Sequence, residues 1–404
     1  MGLHGKRVLI IVENLPVPFD KRVWNEARAL TGAGCRVTVI CPIGKGYDRR
    51  HEVLEGIEVY RHPLPAEGSG PLGYALEYSV ALFWEAVLAF RVLVRSGVDV
   101  VQACNPPDTI FLIGAAFRLL GKKFVFDHHD INPELYIAKF GRKDIFYGLM
   151  VLLERLTFLT AHVSIATNES YREIAVRRGK MPDERVFIVR SGPDLRRFTP
   201  VHPDPRLKEG RPFLLGYVGV MGKQEGLDLL LKAVKHIVVE RGRTDVLTVV
   251  IGGGTEFEAI RRLAEDLGLT DHVRFPGRIP DDELIAYLST ADVCVNPDVA
   301  NEMNDKSTMN KIMEYMALGK PVVQFDLTEG RRSALKASLY ARRNDPVDMA
   351  EKILELLKEP QKRQEMGTFG RRRVETELAW EYSERELLRA YRHLLEAQNP
   401  AEGT

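Results

Sequence analysis

The feature that most constrains the fold is a regular alternation of short apolar runs with amphipathic helices. Strands that are buried on both faces and separated by helices are typical of parallel sheets, so the first half of the chain predicts a parallel, doubly wound α/β sheet. The predicted strands of this half are Arg7–Val12, Arg36–Cys41, Val98–Cys104, Lys123–Asp127, His162–Ala166 and Arg185–Val189.

The same alternation starts again after residues 196–212, a charged segment with four prolines that has little to bury and is interpreted as a linker. The chain therefore predicts a first Rossmann-like domain at 1–195, a second at 213–378 and a C-terminal segment at 379–404. A final helix, expected from Trp380 to Ala397, has no strand of its own. The second set of predicted strands is Phe213–Gly219, Leu247–Gly254, His272–Gly277, Asp292–Pro297 and Pro321–Phe325.

Composition excludes several classes of protein. The 404 residues carry a formal net charge of +1, from 57 basic and 56 acidic side chains, so no global field attracts nucleic acid and any anion recognition is local. The four cysteines lack zinc-site spacing and are expected to be reduced. The first strand starts near the N-terminus and charges interrupt the apolar helix 74–94, so we expect a cytoplasmic protein without a signal peptide or membrane span.

A second informative feature is the segment 301–325, in which a polar loop leads into a helix, a Gly-Lys-Pro turn and an apolar strand. We predict a helix from Ser307 to Leu318, whose first amides lack internal partners and could bind an anion. Lys311 adds charge in the opening turn, and Glu314 lies one turn further on. A cation for phosphate and a carboxylate for sugar hydroxyls suit a nucleoside diphosphate; an ordinary capped helix with surface charges is the alternative.

Polar residues also follow several strands, where ligands bind in doubly wound sheets. Glycines after a strand let the backbone approach a diphosphate, although such a run is equally compatible with a simple turn. His128 and His129 point in opposite directions at a strand end, and the sequence has no Asp-x-Asp pair, so no metal site is predicted. The candidates at the strand ends are Glu13, Asn14, Asn105, His129, Asp130, Gly253 and Arg278.

The order of these motifs resembles that of the family 4 retaining glycosyltransferases with the GT-B fold. The resemblance extends over roughly residues 7–395 and is specific only when the motifs are taken together. It rests on the segments ENLPVPFDKRVWNEARAL, QACNPPD, FDHHDINPE, ATNES, VRSGPDLRRF, YVGVMGKQEGLDLLLKA, VIGGG, FPGRIPDDELIAYLSTADVCVNP and KIMEYMALGKPVV.

The resemblance implies two Rossmann-like domains facing a cleft, with the C-terminal helix crossing back to the first domain. It implies a nucleotide-sugar donor on the second domain, an acceptor on the first, and no metal or other cofactor. By the same resemblance, His129 and Lys311 are catalytic, and Glu13, Asn14, Asn105 and Asp130 bind the acceptor. The implied donor-binding residues are Gly219, Lys223, Gly253, Arg278, Ser307, Thr308, Met309, Asn310 and Glu314.

Two departures from the family pattern stand out. Glu314 matches the second glutamate of the E-x7-E motif, but the first is replaced by Lys306, with Asp305 or the amides of 307–309 as substitutes. In the loop after the first strand of the second domain, Val220 and Glu225 replace the usual arginine and lysine. Lys223, on the same loop, is then expected to carry phosphate charge together with Lys311.

The sequence therefore predicts a retaining, metal-independent transferase that moves a sugar from a nucleoside diphosphate, UDP by preference, to a glycan or glycolipid acceptor. A sugar-nucleotide 2-epimerase and a degenerate nucleotide-binding scaffold are the alternatives. The segment Gly141–Phe158 combines basic residues with an apolar helix. It is interpreted either as core packing or as peripheral contact with a membrane, which would place the protein at the inner face of the cell membrane.

Overall fold

The computed structural model describes residues 2–63 and 70–396, and they form two compact units. The first unit comprises the residues up to Ser191 together with those from Ser383 onward; the second comprises Gly192–Tyr382. Residues 397–404, which include the predicted helix end at Ala397, lie outside the described residues.

The first unit is built on an eight-stranded sheet in the order β3-β4-β2-β1-β5-β6-β7-β8. All neighbouring strands are parallel except β3 and β4, which form an antiparallel hairpin that the sequence analysis missed. The predicted parallel, doubly wound sheet is confirmed. The strands are β1 (Arg7–Ile11), β2 (Arg36–Pro42), β3 (His51–Leu54), β4 (Ile57–His62), β5 (Val100–Cys104), β6 (Lys123–His128), β7 (Val163–Ala166) and β8 (Val186–Ile188).

Helices connect these strands, and several begin at the side-chain caps that the sequence provides. Asp20 accepts a hydrogen bond from the Val23 amide at the start of α1, and Asn168 accepts one from Tyr171 at the start of α6. The helices of this unit are α1 (Lys21–Gly32), α2 (Gly70–Ser96), α3 (Phe111–Leu119), α4 (Asn132–Phe140), α5 (Ile145–Thr160) and α6 (Glu169–Arg177).

The second unit contains a fully parallel six-stranded sheet in the order β11-β10-β9-β12-β13-β14. The sequence predicted five of these strands and missed the edge strand β14. In this order β9 has β10 on one side and β12 on the other, so the strand order reverses there, which is where ligands bind in such sheets. The strands are β9 (Phe213–Val220), β10 (Val246–Gly253), β11 (Val273–Gly277), β12 (Val293–Asn296), β13 (Val322–Phe325) and β14 (Ser338–Ala341).

The helices of the second unit pack on both faces of this sheet and enclose two apolar clusters. They are α7 (Leu227–Lys235), α8 (Phe257–Asp266), α9 (Asp281–Thr290), α10 (Glu302–Lys306), α11 (Asn310–Ala317), α12 (Thr328–Ala334), α13 (Pro346–Lys358) and α14 (Pro360–Arg373). The predicted linker 196–212 belongs to this unit. Phe198 is buried in the unit's core, although the linker has few apolar residues, and Lys208 pairs with Asp292.

The C-terminal helix α15 (Trp380–Glu396) belongs to the first unit from Ser383 onward. Tyr391 in this helix is fully buried, and its hydroxyl donates to Gln102 Oε1 of β5 at 2.6 Å. The expected return of this helix to the first domain is thus confirmed.

Candidate active site

The candidate donor residues of the second unit gather where β9, β10 and β12 end. Gly219 pairs with Gly252 across β9 and β10, and a Cβ atom on Gly252 would lie 1.9 Å from the Gly219 carbonyl oxygen. Gly253 is different, because the nearest atoms to a Cβ there belong to the Arg278 side chain at 3.8 Å. Close backbone packing therefore explains Gly252, whereas Gly253 leaves room for a ligand beside Arg278.

Lys311 is in the first turn of α11, as predicted, but its ammonium group is bound by the protein's own acids. Its Nζ atom lies 2.6 Å from Glu225 Oε2 and 3.1 Å from Asp298 Oδ1. The same atom lies 5.0 Å from the centre of the Tyr217 ring. Burial disfavours the charged lysine, but Asp298 and Glu225 outweigh it and raise the pKa of Lys311. Lys311 is therefore a buried cation whose ion pairs hold the loops after β9 and β12 together.

The two carboxylates beside Lys311 cannot both be compensated by one ammonium group. Burial raises the pKa of Asp298 to about 7; Lys311 lowers it and the nearby Glu225 raises it further. Sequence reasoning noted Glu225 only as a departure from the family pattern and missed Asp298. The position of Asp298, directly after the buried strand β12, was the available signal.

Glu314 is one turn along α11 from Lys311 and is largely buried. Burial raises the pKa of Glu314, and the nearest compensating charge is Arg197. Its carboxylate accepts no hydrogen bond from any residue that the structure describes. Since buried carboxylates are normally hydrogen-bonded, Glu314 has acceptor capacity left for a ligand.

The segment 307–310 departs from the predicted helix. Ser307 ends α10 with extended backbone angles, and its hydroxyl donates to the Met303 carbonyl, so α11 starts at Asn310 and not at Ser307. Ser307 and Thr308 therefore lie in a connection between two helices. Met309 is the N-cap residue and makes no side-chain hydrogen bond to the helix, so the first amides of α11 have no side-chain cap.

Two exposed cations complete this region. Lys223 is in a short 3-10 turn after β9, and Arg278 follows β11. Neither makes an ion pair with any of the residues 2–63 and 70–396. Unlike Lys311, both can thus bind an anion without first breaking an ion pair within the protein.

Asp305, proposed above as a substitute for the missing first glutamate, makes structural contacts within the second unit. Its carboxylate accepts hydrogen bonds from the amide and hydroxyl of Thr328 at 3.0 and 2.9 Å, and it pairs with Arg343 at 2.7 Å. These contacts tie α10 to the start of α12. The geometry therefore does not favour Asp305 as a ligand for the donor sugar.

In the first unit, His129 follows β6 and is fixed by a buried polar network. Its Nε2 atom lies 2.7 Å from Asp127 Oδ2 and 2.9 Å from Arg22 Nε, and its tautomer decides which hydrogen bond forms. Arg22 also pairs with the other Asp127 oxygen at 2.7 Å. Asp127, and not the adjacent Asp130, therefore orients the ring of His129.

The hydrogen-bond network around His129 and Asp127 extends further, through Gln102. Gln102 donates to Glu26 at 2.6 Å and to Asp127 at 3.2 Å, and it accepts the Tyr391 hydroxyl described above. Burial opposes ionisation of Asp127, but Arg22 and His129 outweigh it and lower its pKa. His129 Nδ1 makes no hydrogen bond with a described residue and is available to a ligand.

This cluster does not suit a metal ion. Ligand atoms of Cys104, Asp127 and His129 come within 4.8 Å of one another. However, the Arg22 guanidinium already pairs with Asp127, and burial raises the pKa of the Cys104 thiol well above its ordinary value. A protonated thiol and an arginine-bound carboxylate are poor ligands for a cation.

Asn105, predicted to contact the acceptor, is already satisfied within the protein. Its amide oxygen accepts from the His129 amide at 2.8 Å and the Asp130 amide at 3.2 Å. Its amide nitrogen donates to Asp108 at 3.0 Å and to the Asp130 carbonyl at 2.6 Å. All of its donors are used, so Asn105 positions the loop after β6 and does not suit direct acceptor contact.

Three other acceptor candidates remain at this edge of the sheet. Burial raises the pKa of Asp130, although His129 opposes the shift, and its carboxylate makes no hydrogen bond with a described residue. Glu13 is buried at the end of β1, and Asn14 after it is exposed. Because β1, β5 and β6 are neighbours in the sheet, these residues and His129 lie at one edge.

Comparison with known proteins decides the family. The family described as "Glycosyl transferase 4-like domain" matches residues 20–192, and "Glycosyl transferases group 1" matches residues 199–373. The two matches together cover most of the chain. The chain belongs to the family 4 glycosyltransferases.

One curated relative of this family 4 glycosyltransferase is a GDP-mannose-dependent monoacylated alpha-(1-6)-phosphatidylinositol monomannoside mannosyltransferase from Corynebacterium glutamicum. It is 28% identical over 203 residues, which is 47% of this chain and 52% of the relative. The chain thus spans about half the length of curated relatives such as this one.

Solved structures show that the family 4 glycosyltransferase has the GT-B fold. Sucrose-phosphate synthase from Thermosynechococcus elongatus has a TM-score of 0.77 at 20% identity, over 97% of this chain and 100% of that one. Anabaena HepE, solved in complex with UDP-glucose, has a TM-score of 0.69 at 14% identity, over 98% and 100%. No helix among the described residues is long and apolar enough to cross a membrane.

Proposed function

We propose that this protein transfers a sugar, with retention at the anomeric carbon, from a nucleoside diphosphate sugar to a glycan or glycolipid acceptor. The observation that carries the proposal is Glu314, a largely buried carboxylate without a described hydrogen-bond partner, one turn from the buried cation Lys311. Both lie on α11, beside the point where the strand order of the second sheet reverses.

The second unit binds the donor in this proposal. Glu314 accepts hydrogen bonds from the ribose hydroxyls, and the diphosphate lies against the first amides of α11 and Gly219. Lys223 and Arg278 supply charge that is not paired with any acid among the described residues. Lys311 contributes as the diphosphate departs, because its positive charge stabilises the negative charge that develops on the leaving phosphate.

The first unit binds the acceptor, with Asp130, Glu13 and Asn14 as hydrogen-bonding groups. His129 makes a hydrogen bond to the reacting sugar through Nδ1, which accepts when Nε2 donates to Asp127 and donates when Nε2 accepts from Arg22. In the reaction, the bond from the anomeric carbon to the phosphate oxygen breaks and the bond to the acceptor oxygen forms on the same face. The leaving phosphate takes the acceptor proton, so the protein's main contribution is preorganised charge.

The choice of nucleotide and the independence from metals are parts of the same proposal. UDP is supported by the structural likeness to HepE, which was solved with UDP-glucose. GDP is the competing nucleotide, because the Corynebacterium relative is named for GDP-mannose. Metal independence is supported by the lack of Asp-x-Asp in the sequence and by the cationic groups that face the proposed diphosphate.

The test is to incubate the full chain with UDP-sugars and GDP-sugars, with and without glycan or glycolipid extracts, and to measure free nucleoside diphosphate. Diphosphate release that depends on acceptor, persists in a chelator and gives a product of unchanged anomeric configuration supports the proposal. A new sugar nucleotide would instead indicate a 2-epimerase. Binding of donors without turnover would indicate a nucleotide-binding scaffold.

A further inference from the structure

The first unit exposes apolar side chains where helices of a globular protein normally expose polar ones. On α5, Ile145, Leu149, Leu152 and Leu159 are all exposed, with Ile145 at 82%. Their spacing of four, three and seven residues places them on one side of the helix. Since the opposite side of α5 packs on the unit, its outward stripe is apolar instead of charged.

Two neighbouring helices, α2 and α3, also expose apolar side chains on their outward sides. The exposed side chains of α2 include Phe83, Val87, Phe90 and Val94, again at helical spacing, and those of α3 include Leu112 and Leu119. Val94 is 87% exposed and Leu119 is 90% exposed. Single exposed apolar residues are common, but three adjacent helices with apolar outer stripes form a patch that calls for a partner.

Two cavities show that these stripes belong to one surface. A cavity of about 330 Å³ is lined by Phe83 and Phe90 of α2 and by Leu112 of α3. A second cavity, of about 390 Å³, is lined by α2, α4 and α5, including Leu149. We call this surface, formed by the outward stripes and the two cavities, the α2–α3–α5 face.

The exposed charged side chains that the structure describes on α2, α3 and α5 are basic. Of the acidic side chains described on these helices, Glu85 is fully buried and Glu154 is buried in an ion pair with Arg178. Asp144, just before α5, caps that helix and pairs with Arg142 at 2.8 Å. No described acidic side chain on α2, α3 or α5 is exposed. The exposed cations on these helices and on the loop before α5 are Arg91, Arg95, Arg118, Arg142, Lys143 and Arg155.

We propose that the α2–α3–α5 face docks on a lipid bilayer with anionic headgroups. The apolar stripes enter the headgroup and acyl boundary, the cavities admit hydrocarbon chains, and the basic rim meets the lipid phosphates. A second copy of the chain is a poorer partner, because two such faces would bring their basic rims together.

The larger cavity also links this face to the candidate acceptor site. Its lining includes Asp108 and Asn132, and Asn132 donates to Asp108 at 2.6 Å. Asp108 in turn accepts from Asn105, which positions the loop after β6. A lipid-linked acceptor could thus keep its chain in the cavity while its sugar reaches the strand ends, and in this respect the proposal rests on the proposed transferase function.

Vesicle flotation tests the docking proposal independently of turnover. Wild-type protein is expected to float with vesicles of phosphatidylcholine and phosphatidylglycerol, and more weakly with phosphatidylcholine alone or at high salt. The double variant Leu149→Glu with Leu152→Glu is expected to lower vesicle partitioning by about tenfold or more, since it removes two apolar side chains from the interface. The matched control is Val347→Glu, an equally exposed valine on α13 of the second unit, which should float like wild type.

Three outcomes would overturn the proposal. The first is that wild-type protein does not bind anionic vesicles, and the second is that the variant with Leu149→Glu and Leu152→Glu floats normally. The third is that light scattering shows a wild-type dimer and a monomeric variant. Thermal melting checks that the variant is folded. Nucleoside diphosphate release is measured in parallel without vesicles, so failure of docking with intact release overturns the docking alone.

Discussion

The Lys311 ammonium group lies 2.6 Å from the Glu225 carboxylate, although the two residues are on different elements and 86 positions apart. Glu225 occupies a position where the family often has a cation, and Lys311 brings a cation back to the same loop from α11. A positive charge is therefore kept near the loop after β9, but it is paired with two acids, the partly exposed Glu225 and the buried Asp298. This arrangement sets how Lys311 should respond to substitution.

Substitution of Lys311 by alanine should reduce both activity and stability. We expect turnover to fall about 10²- to 10³-fold, because a cation that stabilises the departing diphosphate is lost. We also expect the free energy of unfolding to fall by about 3 kcal/mol, because Glu225 and Asp298 lose their buried counter-ion. Nucleoside diphosphate release and urea denaturation measure the two effects.

The stability loss of the Lys311→Ala variant should depend on pH. Burial and Glu225 already raise the pKa of Asp298 to about 7, so this carboxyl is mostly protonated at about pH 6. Since a neutral carboxyl needs no counter-ion, the loss of Lys311 should reduce the free energy of unfolding less at about pH 6 than at about pH 8. The exposed Lys223→Ala is the stability control and should unfold like wild type. Unchanged turnover in Lys311→Ala would refute the catalytic role of the lysine.

Glu314→Gln should act mainly on donor binding. A charged hydrogen bond to a ribose hydroxyl contributes about 1.5 to 3 kcal/mol, so the donor KM should rise roughly 10- to 100-fold while kcat changes less. The raised pKa of Glu314, caused by burial, predicts that stability stays equal or increases slightly. Steady-state kinetics and thermal melting distinguish the cases. A loss of stability with an unchanged KM would make Glu314 an ordinary helix residue.

His129→Ala should lower kcat by about 10- to 100-fold, the loss expected for one hydrogen bond made in the transition state. Its fixed Nε2 contacts to Asp127 and Arg22 mean that Asp127→Asn should show part of the same loss. The control is His202→Ala, an exposed histidine of the second unit. Equal kcat values for His129→Ala and wild type would remove the histidine from the reaction.

Glu85→Gln tests a buried carboxyl that no ligand role requires. Burial, with a smaller contribution from Glu13, raises the pKa of Glu85 to about 8, and neither of its oxygens has a hydrogen-bond partner in the part of the chain that the structure describes. Between its unfolded and folded pKa values the folded state holds one more proton than the unfolded state, so wild-type stability falls as pH rises through this window.

The free energy of unfolding of Glu85→Gln relative to wild type should therefore increase by about 1.4 kcal/mol per pH unit from about pH 5 to pH 8, and level off above pH 8. Denaturant titrations at several pH values measure this slope. The exposed Glu265→Gln should show no comparable slope. A pH-independent difference for Glu85→Gln would mean that Glu85 ionises normally in the folded protein.

Local patterns in the sequence predicted most of the regular structure. Strands such as β1 and β9 are apolar runs because both of their faces are buried, and this signal needs no knowledge of distant residues. The hairpin of β3 and β4 was missed because β3 has only four residues, all at least partly exposed, and is followed by a turn at Glu55 and Gly56. The start of α11 was misplaced because Ser307 serves the preceding helix instead.

By itself, the sequence determined the two α/β units, the family and the strand ends where the candidate site residues lie. Only the tertiary structure decided which of these residues already bind other residues of the protein and which can still bind a ligand. In the tertiary structure, Glu225 and Asp298 pair with Lys311, Asn105 makes four internal hydrogen bonds, and Asp127 contacts His129. The reason is physical: a buried polar group needs a partner, and partners are chosen by proximity in space, which a linear pattern does not record.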